Sequence, residues 1–156
     1  MTKRTYQRDN LIVHWDSSRC IHSGRCLRGL PEVFDLQARP WVQLEEAESD
    51  AVTATIETCP SGALTYERVG GQPEQTPDVP TITPHPNGPL HVRGYVEVRD
   101  VTGAVFDAGP RMTLCRCGHS NNQPFCDNSH REAGFKDRAR VISPERNDAQ
   151  HPPPAT

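Results

Sequence analysis

The sequence predicts an α+β protein made of two small modules. Three observations lead to this prediction: a proline-rich segment divides the chain, the six cysteines fall on both sides of it, and the two sides differ in their apolar patterns. Only 34% of the 156 residues are hydrophobic, so two thin cores are expected instead of one large core. Cores of this size usually need a disulfide or a metal for stability.

The first module is predicted over residues 1–67, where strand and helix patterns alternate. Ser49 is a suitable N-cap for a helix whose apolar positions share one face and which Pro60 ends. Strands are predicted at 6–13, 41–44 and 64–66. Strands around one helix indicate a compact α+β unit.

The rest of the chain is predicted to be a linker, a β-rich module and a tail. Residues 68–88 hold five prolines and few large apolar side chains, which is typical of a semi-extended linker. The second module is predicted over 89–142, and the proline-containing stretch 143–156 is predicted to be a disordered tail. Strands are expected at 90–99, 104–106 and 112–114, with a turn at 100–103.

Charge and hydropathy argue against several function classes. The net charge of −3 is too small to indicate a nucleic-acid or membrane partner. No apolar stretch approaches the roughly 20 residues that span a bilayer, and the polar start Met1–Asn10 has no features of a secretory leader. A cytoplasmic location is therefore expected, where cysteines bind metals more often than they form disulfides.

Four residues near the end of the second module have the spacing of metal ligands. Cys115 and Cys117 are one residue apart, so both side chains reach one metal from an extended or turning backbone. Cys126 and His130 are one helical turn apart. Thiolates with one imidazole suit an iron–sulfur cluster, and two donor pairs match the two irons of a 2Fe–2S cluster. Tetrahedral zinc is the alternative, although its cysteines are usually two residues apart.

This segment resembles the mitoNEET-like CDGSH iron–sulfur domain. The shared pattern is the Cys115-Arg-Cys117 triplet, then Ser120 and Pro124, and then the run 126–130, Cys-Asp-Asn-Ser-His. Asn128 replaces the family's usual glycine, and asparagine is the residue that best tolerates positive φ after glycine. The resemblance implies a small β-rich fold with a 2Fe–2S cluster on Cys115, Cys117, Cys126 and His130. A neutral imidazole in place of a thiolate raises the reduction potential.

A second set of cysteines lies in the first module. Cys20 and Cys26 flank a loop containing His22 and Ser23, and Cys59 follows much later, directly before a proline. Bacterial ferredoxins combine loop cysteines three residues apart with a remote Cys-Pro. Here the middle cysteine position is Ser23. Three cysteines satisfy a 3Fe–4S cluster, which is favoured over 4Fe–4S, since the latter needs Ser23, His22 or water as a further ligand. Buried thiols without metal are the remaining alternative.

Residues 5–67 resemble the divergent single-cluster ferredoxin domain and the 3Fe–4S ferredoxins that serve monooxygenases. The run Gly29-Leu-Pro31 and the residues after it strengthen this match. The resemblance implies a ferredoxin-like α+β module and, with the CDGSH segment, a known bacterial arrangement. It implies a non-enzymatic electron carrier whose partners are a flavoprotein reductase and an acceptor such as a monooxygenase. A cluster donor or redox sensor is the alternative function, and a homodimer is an open possibility because single-motif CDGSH proteins tend to dimerise.

Overall fold

The computed structural model describes residues 2–140, and the first module within them is built on a three-stranded antiparallel sheet. Its strands are β1 (Lys3–Arg8), β2 (Leu11–Asp16) and β3 (Leu64–Arg68), in the order β1-β2-β3. The single strand predicted at 6–13 is therefore two strands. They form a hairpin whose turn contains Asp9 at a φ of 50°.

Two α-helices and two 3₁₀ turns lie between β2 and β3. The helices are α1 (Arg25–Gly29) and α2 (Ser49–Glu57), and the 3₁₀ turns span Ser17–Arg19 and Leu44–Glu46. The helix predicted here is confirmed as α2, but its N-cap is Glu48 and the predicted cap Ser49 is its first residue. Val52 and Ile56 are completely buried in the core that also contains Leu11 and Val13 of β2. Burial of this apolar face stabilises a helix that is too short to persist alone in water.

The predicted strand 41–44 is wrong. Val42 forms only an isolated bridge with Phe34, and Leu44 begins a 3₁₀ turn. A half-buried strand directs successive side chains to opposite faces. Trp41, Val42 and Leu44 are instead all buried in the core. The core therefore determines the path of this loop, and strand pairing does not.

The second module contains two small sheets and one short helix. The elements are β4 (Thr81–Pro84), β5 (Leu90–Arg93), β6 (Val98–Arg99), β7 (Val105–Phe106), β8 (Arg111–Leu114) and α3 (Ser129–Glu132). One sheet has the order β4-β5-β8, and β6 pairs with β7. Because β4 falls inside the segment predicted to be a linker, the connection between the two sheets is shorter than expected. Residues 141 and 142 and the predicted tail 143–156 lie outside the described residues.

The long strand predicted at 90–99 is interrupted at Gly94. This residue has a φ of 96°, and a Cβ atom there would lie 2.9 Å from Pro80 Cα. The chain therefore leaves the first sheet after Arg93 and re-enters an extended conformation at β6. The turn predicted at 100–103 is confirmed, since the Gly103 amide donates to the Asp100 carbonyl at 3.0 Å.

The second module has a very small core of its own. Its buried apolar cluster consists of Val92, Ala108 and Met112, with partly buried neighbours such as Phe125 around it. A core of three side chains is far below what an independent domain of this size usually needs. This module therefore depends on its contacts with the first module.

The two modules meet at Arg111, whose side chain is 1% exposed. Its guanidinium donates to both carboxylate oxygens of Glu74, at 2.5 and 2.9 Å. It also donates to the carbonyls of Cys59, at 2.5 Å, and Leu64, at 2.9 Å. Gly62 allows the Arg111 backbone to lie close to the first module, because a Cβ atom at Gly62 would lie 2.2 Å from the Arg111 carbonyl oxygen. One buried cation thus joins the second module, the first module and the connecting segment.

None of the helices between residues 2 and 140 is long and apolar enough to cross a membrane.

Replacing Arg111 with methionine is expected to lower the free energy of unfolding by about 3–5 kcal/mol, because the Glu74 carboxylate stays buried without its partner. Glu74→Leu should cost a similar amount, and the double variant should recover much of the loss. Urea unfolding of the four proteins measures the coupling. Arg99→Met, which removes the exposed ion pair with Glu97, is the control and should cost less than about 1 kcal/mol. Arg111 and Glu74 single variants that are as stable as this control would contradict a stabilising role of the buried Arg111–Glu74 pair.

Candidate metal centres

The loop that follows β8 brings two groups of donor residues together. The Cys115 amide donates to the Pro124 carbonyl at 2.8 Å, and the Cys126 amide donates to the Thr113 carbonyl at 2.9 Å. These two bonds close the loop, so its first and last cysteines lie side by side. His130 then follows on α3.

The four predicted ligands form two close pairs. Cys115 Sγ and Cys117 Sγ are 3.7 Å apart, and Cys126 Sγ lies 3.5 Å from His130 Nδ1. Two sulfur ligands bound at about 2.3 Å to a tetrahedral metal are about 3.8 Å apart, and a sulfur and an imidazole nitrogen are about 3.6 Å apart. Each pair is therefore spaced to share one metal ion, and Nδ1 is the imidazole atom that faces the site.

The pairs do not merge into a single-ion site. Within residues 2–140, no group of three or more His, Cys, Asp or Glu side chains is close enough to hold one metal ion. Two metals with two protein ligands each match a 2Fe–2S cluster, and three thiols with one imidazole are donors that such clusters accept. The residues present therefore fit this group.

Backbone amides surround the sulfur atoms of this site. The His119 amide donates to Cys117 Sγ and the Asn128 amide donates to Cys126 Sγ, each at 3.4 Å. Burial raises the pKa of the Cys126 thiol. Burial also acts to raise the pKa of Cys115, but hydrogen bonds from the Ser120 and Gly118 amides outweigh it, and that pKa is lowered. Such donors stabilise thiolate and cluster sulfur, which are the negatively charged forms.

The residues around His130 favour its neutral form and fix the start of its helix. Burial lowers the pKa of His130, and the neighbouring Arg131 charge lowers it further. The Asp127 carboxylate accepts hydrogen bonds from the amide and hydroxyl of Ser129, at 2.9 and 2.6 Å. The Ser129 hydroxyl is the main reason why the pKa of Asp127 falls to about 2. Asp127 therefore stays ionised and stabilises the first turn of the helix that presents His130.

The three cysteines of the first module also meet in one place. Cys59 is 8% exposed and belongs to the first core, against which Cys20 and Cys26 pack. Burial raises the pKa of Cys20, and the neighbouring Cys59 raises it further. The same two causes raise the pKa of Cys26. The thiols are therefore close enough to interact electrostatically, as ligands of a single cluster would be.

Cys59 is the most anionic position of this set. Burial acts to raise its pKa, but hydrogen bonds from the Leu64 amide and from Ser61 outweigh burial, with help from the Arg111 charge, and the pKa is lowered. The Ser61 hydroxyl lies 3.7 Å from Cys59 Sγ. Three neighbouring thiols, with hydrogen-bond donors at Cys59, fit an iron–sulfur cluster, whose sulfurs usually accept such hydrogen bonds.

His22 and Ser23, the two candidates for a further ligand, have different surroundings. His22 has a φ of 50°, and its Nδ1 lies 3.9 Å from Cys20 Sγ. Ser23 lines a cleft between the two modules, and its carbonyl accepts from Arg28 at 2.8 Å. The imidazole is therefore the side chain of this loop that contacts a thiol.

Sequence reasoning missed two arginines beside Cys59. Arg111 donates to the Cys59 carbonyl, and the charge of Arg19 interacts with the Cys59 thiol. Arg111 lies 52 residues from Cys59, so no local pattern could reveal the contact. Arg116, which adjoins a predicted ligand, instead donates to the Gly88 and His85 carbonyls at 3.0 and 2.9 Å.

Comparison with protein-family models gives a match in each module. Residues 6–69 match the model described as a divergent 4Fe-4S mono-cluster. Residues 87–131 match the model described as an iron-binding zinc finger of CDGSH type. Both predicted resemblances are confirmed, and iron–sulfur binding is indicated for both modules.

Two curated relatives match the first module. They are the proteins named "Uncharacterized protein YjdI" of Escherichia coli strain K12 and of Escherichia coli O157:H7. Each is 40% identical to this chain over 63 residues, which is 40% of this chain and 83% of the relative. The first module alone therefore accounts for most of a separate bacterial protein.

Changing His130 to cysteine is expected to lower the reduction potential of the second-module centre, because an anionic thiolate replaces a neutral imidazole. Protons compete with iron for Nδ1 as the pH falls, so visible absorbance of the unaltered protein should be lost at a higher pH than that of the variant. Redox titration and absorbance against pH measure both effects.

His14→Ala is the matched control for this change. His14 is on β2, bonded to Thr5 and Glu67, and its removal should leave the potential and the acid stability unchanged. Equal acid loss in the His130 variant and the unaltered protein would contradict the assignment of His130 as a ligand.

Proposed function

Because the chain belongs to the divergent 4Fe-4S mono-cluster family through residues 6–69 and continues into a CDGSH-type iron-binding domain, we propose that it is a two-cluster electron carrier. The observation that carries this proposal is the direct contact between the loops that bear the two donor sets. Asn122 and Asn128 of the CDGSH segment donate to the carbonyls of Ser18 and Ile21, beside Cys20, at 2.8 and 2.6 Å. Neighbouring centres in one docked unit suit passage of electrons from one to the other.

The proposed ligands divide between two clusters. Cys115 and Cys117 hold one iron of a 2Fe–2S cluster, and Cys126 and His130 hold the other. Cys20, Cys26 and Cys59 hold a second cluster, with at least the three irons of a 3Fe–4S core. The position of His22 supports this residue as the ligand of a fourth iron, as does the 4Fe-4S description of the matched family.

When bound, the clusters supply reversible one-electron chemistry. The residues of the chain hold them, limit their contact with water and compensate their negative charge. Cys59 and Cys126 are 8% and 3% exposed. The buried cation Arg111 and the amides that face the sulfurs supply the positive potential that an anionic group requires.

A basic cleft between the modules supports docking of an acidic redox partner. Arg25 and Arg28 line it from the first module, and Arg131 lines it from the second. His85, His91 and the predicted ligand His130 complete the polar wall, and no Asp or Glu is among the described residues that line the cleft. A partner with carboxylates on its docking face, such as a flavoprotein reductase, would approach at the edge of His130.

Cluster donation is the second candidate function. His130 is half-buried and borders the open cleft, so its bond to iron is accessible to an acceptor protein. Rapid transfer of the 2Fe–2S cluster to an apo-ferredoxin, slowed in the His130→Cys variant, would favour donation over electron transfer.

Changing His22 to alanine is expected to convert the first-module centre from four irons to three, since the loop loses its only imidazole. Iron analysis and EPR of the oxidised protein measure this: a 3Fe–4S signal should appear or increase in the variant. Ser23→Ala is the adjacent control and should change neither the iron content nor the spectrum. A full 3Fe–4S signal in the unaltered protein, unchanged in His22→Ala, would show that His22 is not a ligand.

Changing Arg25 and Arg131 to glutamate is expected to slow reduction by a purified ferredoxin–NADP reductase severalfold and to weaken the dependence of this rate on salt. Charge attraction accelerates association, and salt screens it. Stopped-flow absorbance measures the rate. Arg4→Glu, on the exposed strand β1, makes the same type of charge change elsewhere and should have little effect. If neither the reductase nor dithionite reduces either cluster, the electron-carrier proposal fails.

A further inference from the structure

Asn128 joins the two loops that carry the predicted metal ligands. Its backbone amide donates to Cys126 Sγ at 3.4 Å, and its side-chain Nδ2 donates to the Ile21 carbonyl at 2.6 Å. Ile21 is 7% exposed and directly follows Cys20. One residue therefore joins a ligand of the second-module centre to the residue next to a ligand of the first-module centre.

The backbone conformation explains why asparagine is suited to this position. Asn128 has a φ of 77°, a conformation that glycine and, less readily, asparagine and aspartate adopt. Glycine would keep the amide bond to Cys126 but has no side chain to reach Ile21. Aspartate would tolerate the backbone but would present an oxygen to the Ile21 carbonyl instead of a donor. Of these three residues, asparagine alone combines the conformation with a side-chain N–H group.

We propose that Asn128 is a positioning residue that couples the two clusters. The route from Cys20 to Cys126 through Asn128 consists of covalent bonds and two hydrogen bonds. This inference rests on the proposed electron-carrier function. In the coupled step, one electron passes between the centre of Cys20, Cys26 and Cys59 and the centre of Cys115, Cys117, Cys126 and His130, so that the centre that gives it is oxidised and the centre that receives it is reduced. The reductase supplies the electron, and no bond forms or breaks.

Two other contacts join the same loops without touching a ligand sulfur. Asn122 Nδ2 donates to the Ser18 carbonyl at 2.8 Å. The Arg19 guanidinium lies 4.4 Å from the centre of the Phe125 ring. These contacts hold the loops together when Asn128 is changed, so the loss of its side chain is expected to leave both modules folded and docked. Asn122 is consequently a matched control, since it also provides one amide-to-carbonyl bond between the loops.

The test compares Asn128→Gly with Asn122→Ala in the full-length, cluster-loaded protein. Iron and sulfide contents should equal those of the unaltered protein in both. Photoreduction followed by transient absorbance measures electron transfer between the centres. We expect the rate to fall severalfold in Asn128→Gly and to change little in Asn122→Ala. An unchanged rate in Asn128→Gly, or an equal fall in both variants, would overturn the coupling role.

Hydrogen–deuterium exchange gives a second measurement that does not depend on electron transfer. Loss of the bond to Ile21 should accelerate amide exchange in residues 20–24 by about fivefold, the effect of one ordinary hydrogen bond, while exchange in β2 stays unchanged. Unaltered exchange in residues 20–24 would overturn the positioning role. If no electron passes between the centres of the unaltered protein, the electron-carrier proposal fails. The hydrogen–deuterium exchange result still decides whether Asn128 positions the loop.

Discussion

The structure depends on the burial of one cation at the junction of the two modules. Arg111 leaves water completely, and such a charge is tolerated only when it is paired and its N–H groups are bonded. Glu74 supplies the countercharge, and the carbonyls of Cys59 and Leu64 accept hydrogen bonds from Nη1 and Nη2. Since the core of the second module comprises three buried side chains, its docking through Arg111 substitutes for the interior that it lacks. The same contact positions its metal-site loop beside the loop of Cys20.

Electrostatics links this junction to the candidate chemistry. An iron–sulfur cluster with thiolate ligands is anionic, and burying it in a protein requires nearby dipoles or positive charges. Arg111 and Arg19 both lie near Cys59, and backbone amides face Cys117 and Cys126. Arg19 also has two buried nitrogens without a partner among the described residues. The interface between the modules therefore brings positive potential to the first-module centre as well as holding the modules together.

Sequence patterns predicted well those structural features that residues close together in the chain determine. The spacing of Cys115, Cys117, Cys126 and His130 anticipated two donor pairs, and the asparagine of the motif indicated the positive φ that Asn128 adopts. The apolar face of α2 was equally predictable from the sequence. Interactions between distant parts of the chain were not predictable in this way. The contact of Arg111 with Cys59, the pairing of β4 with β5 and the bond from Asn128 to Ile21 join residues with no common pattern. The buried loop at 41–44 resembled a strand because Gln43 separates the apolar residues Val42 and Leu44.

EPR of the anaerobically purified, dithionite-reduced protein tests most directly whether two clusters lie side by side in one docked unit. Two reduced paramagnetic centres are expected in each chain, with signals split or broadened by their mutual spin interaction and with iron and acid-labile sulfide sufficient for both. Signals that remain independent would contradict the docked arrangement, and zinc in place of iron and sulfide would contradict the two-cluster account altogether.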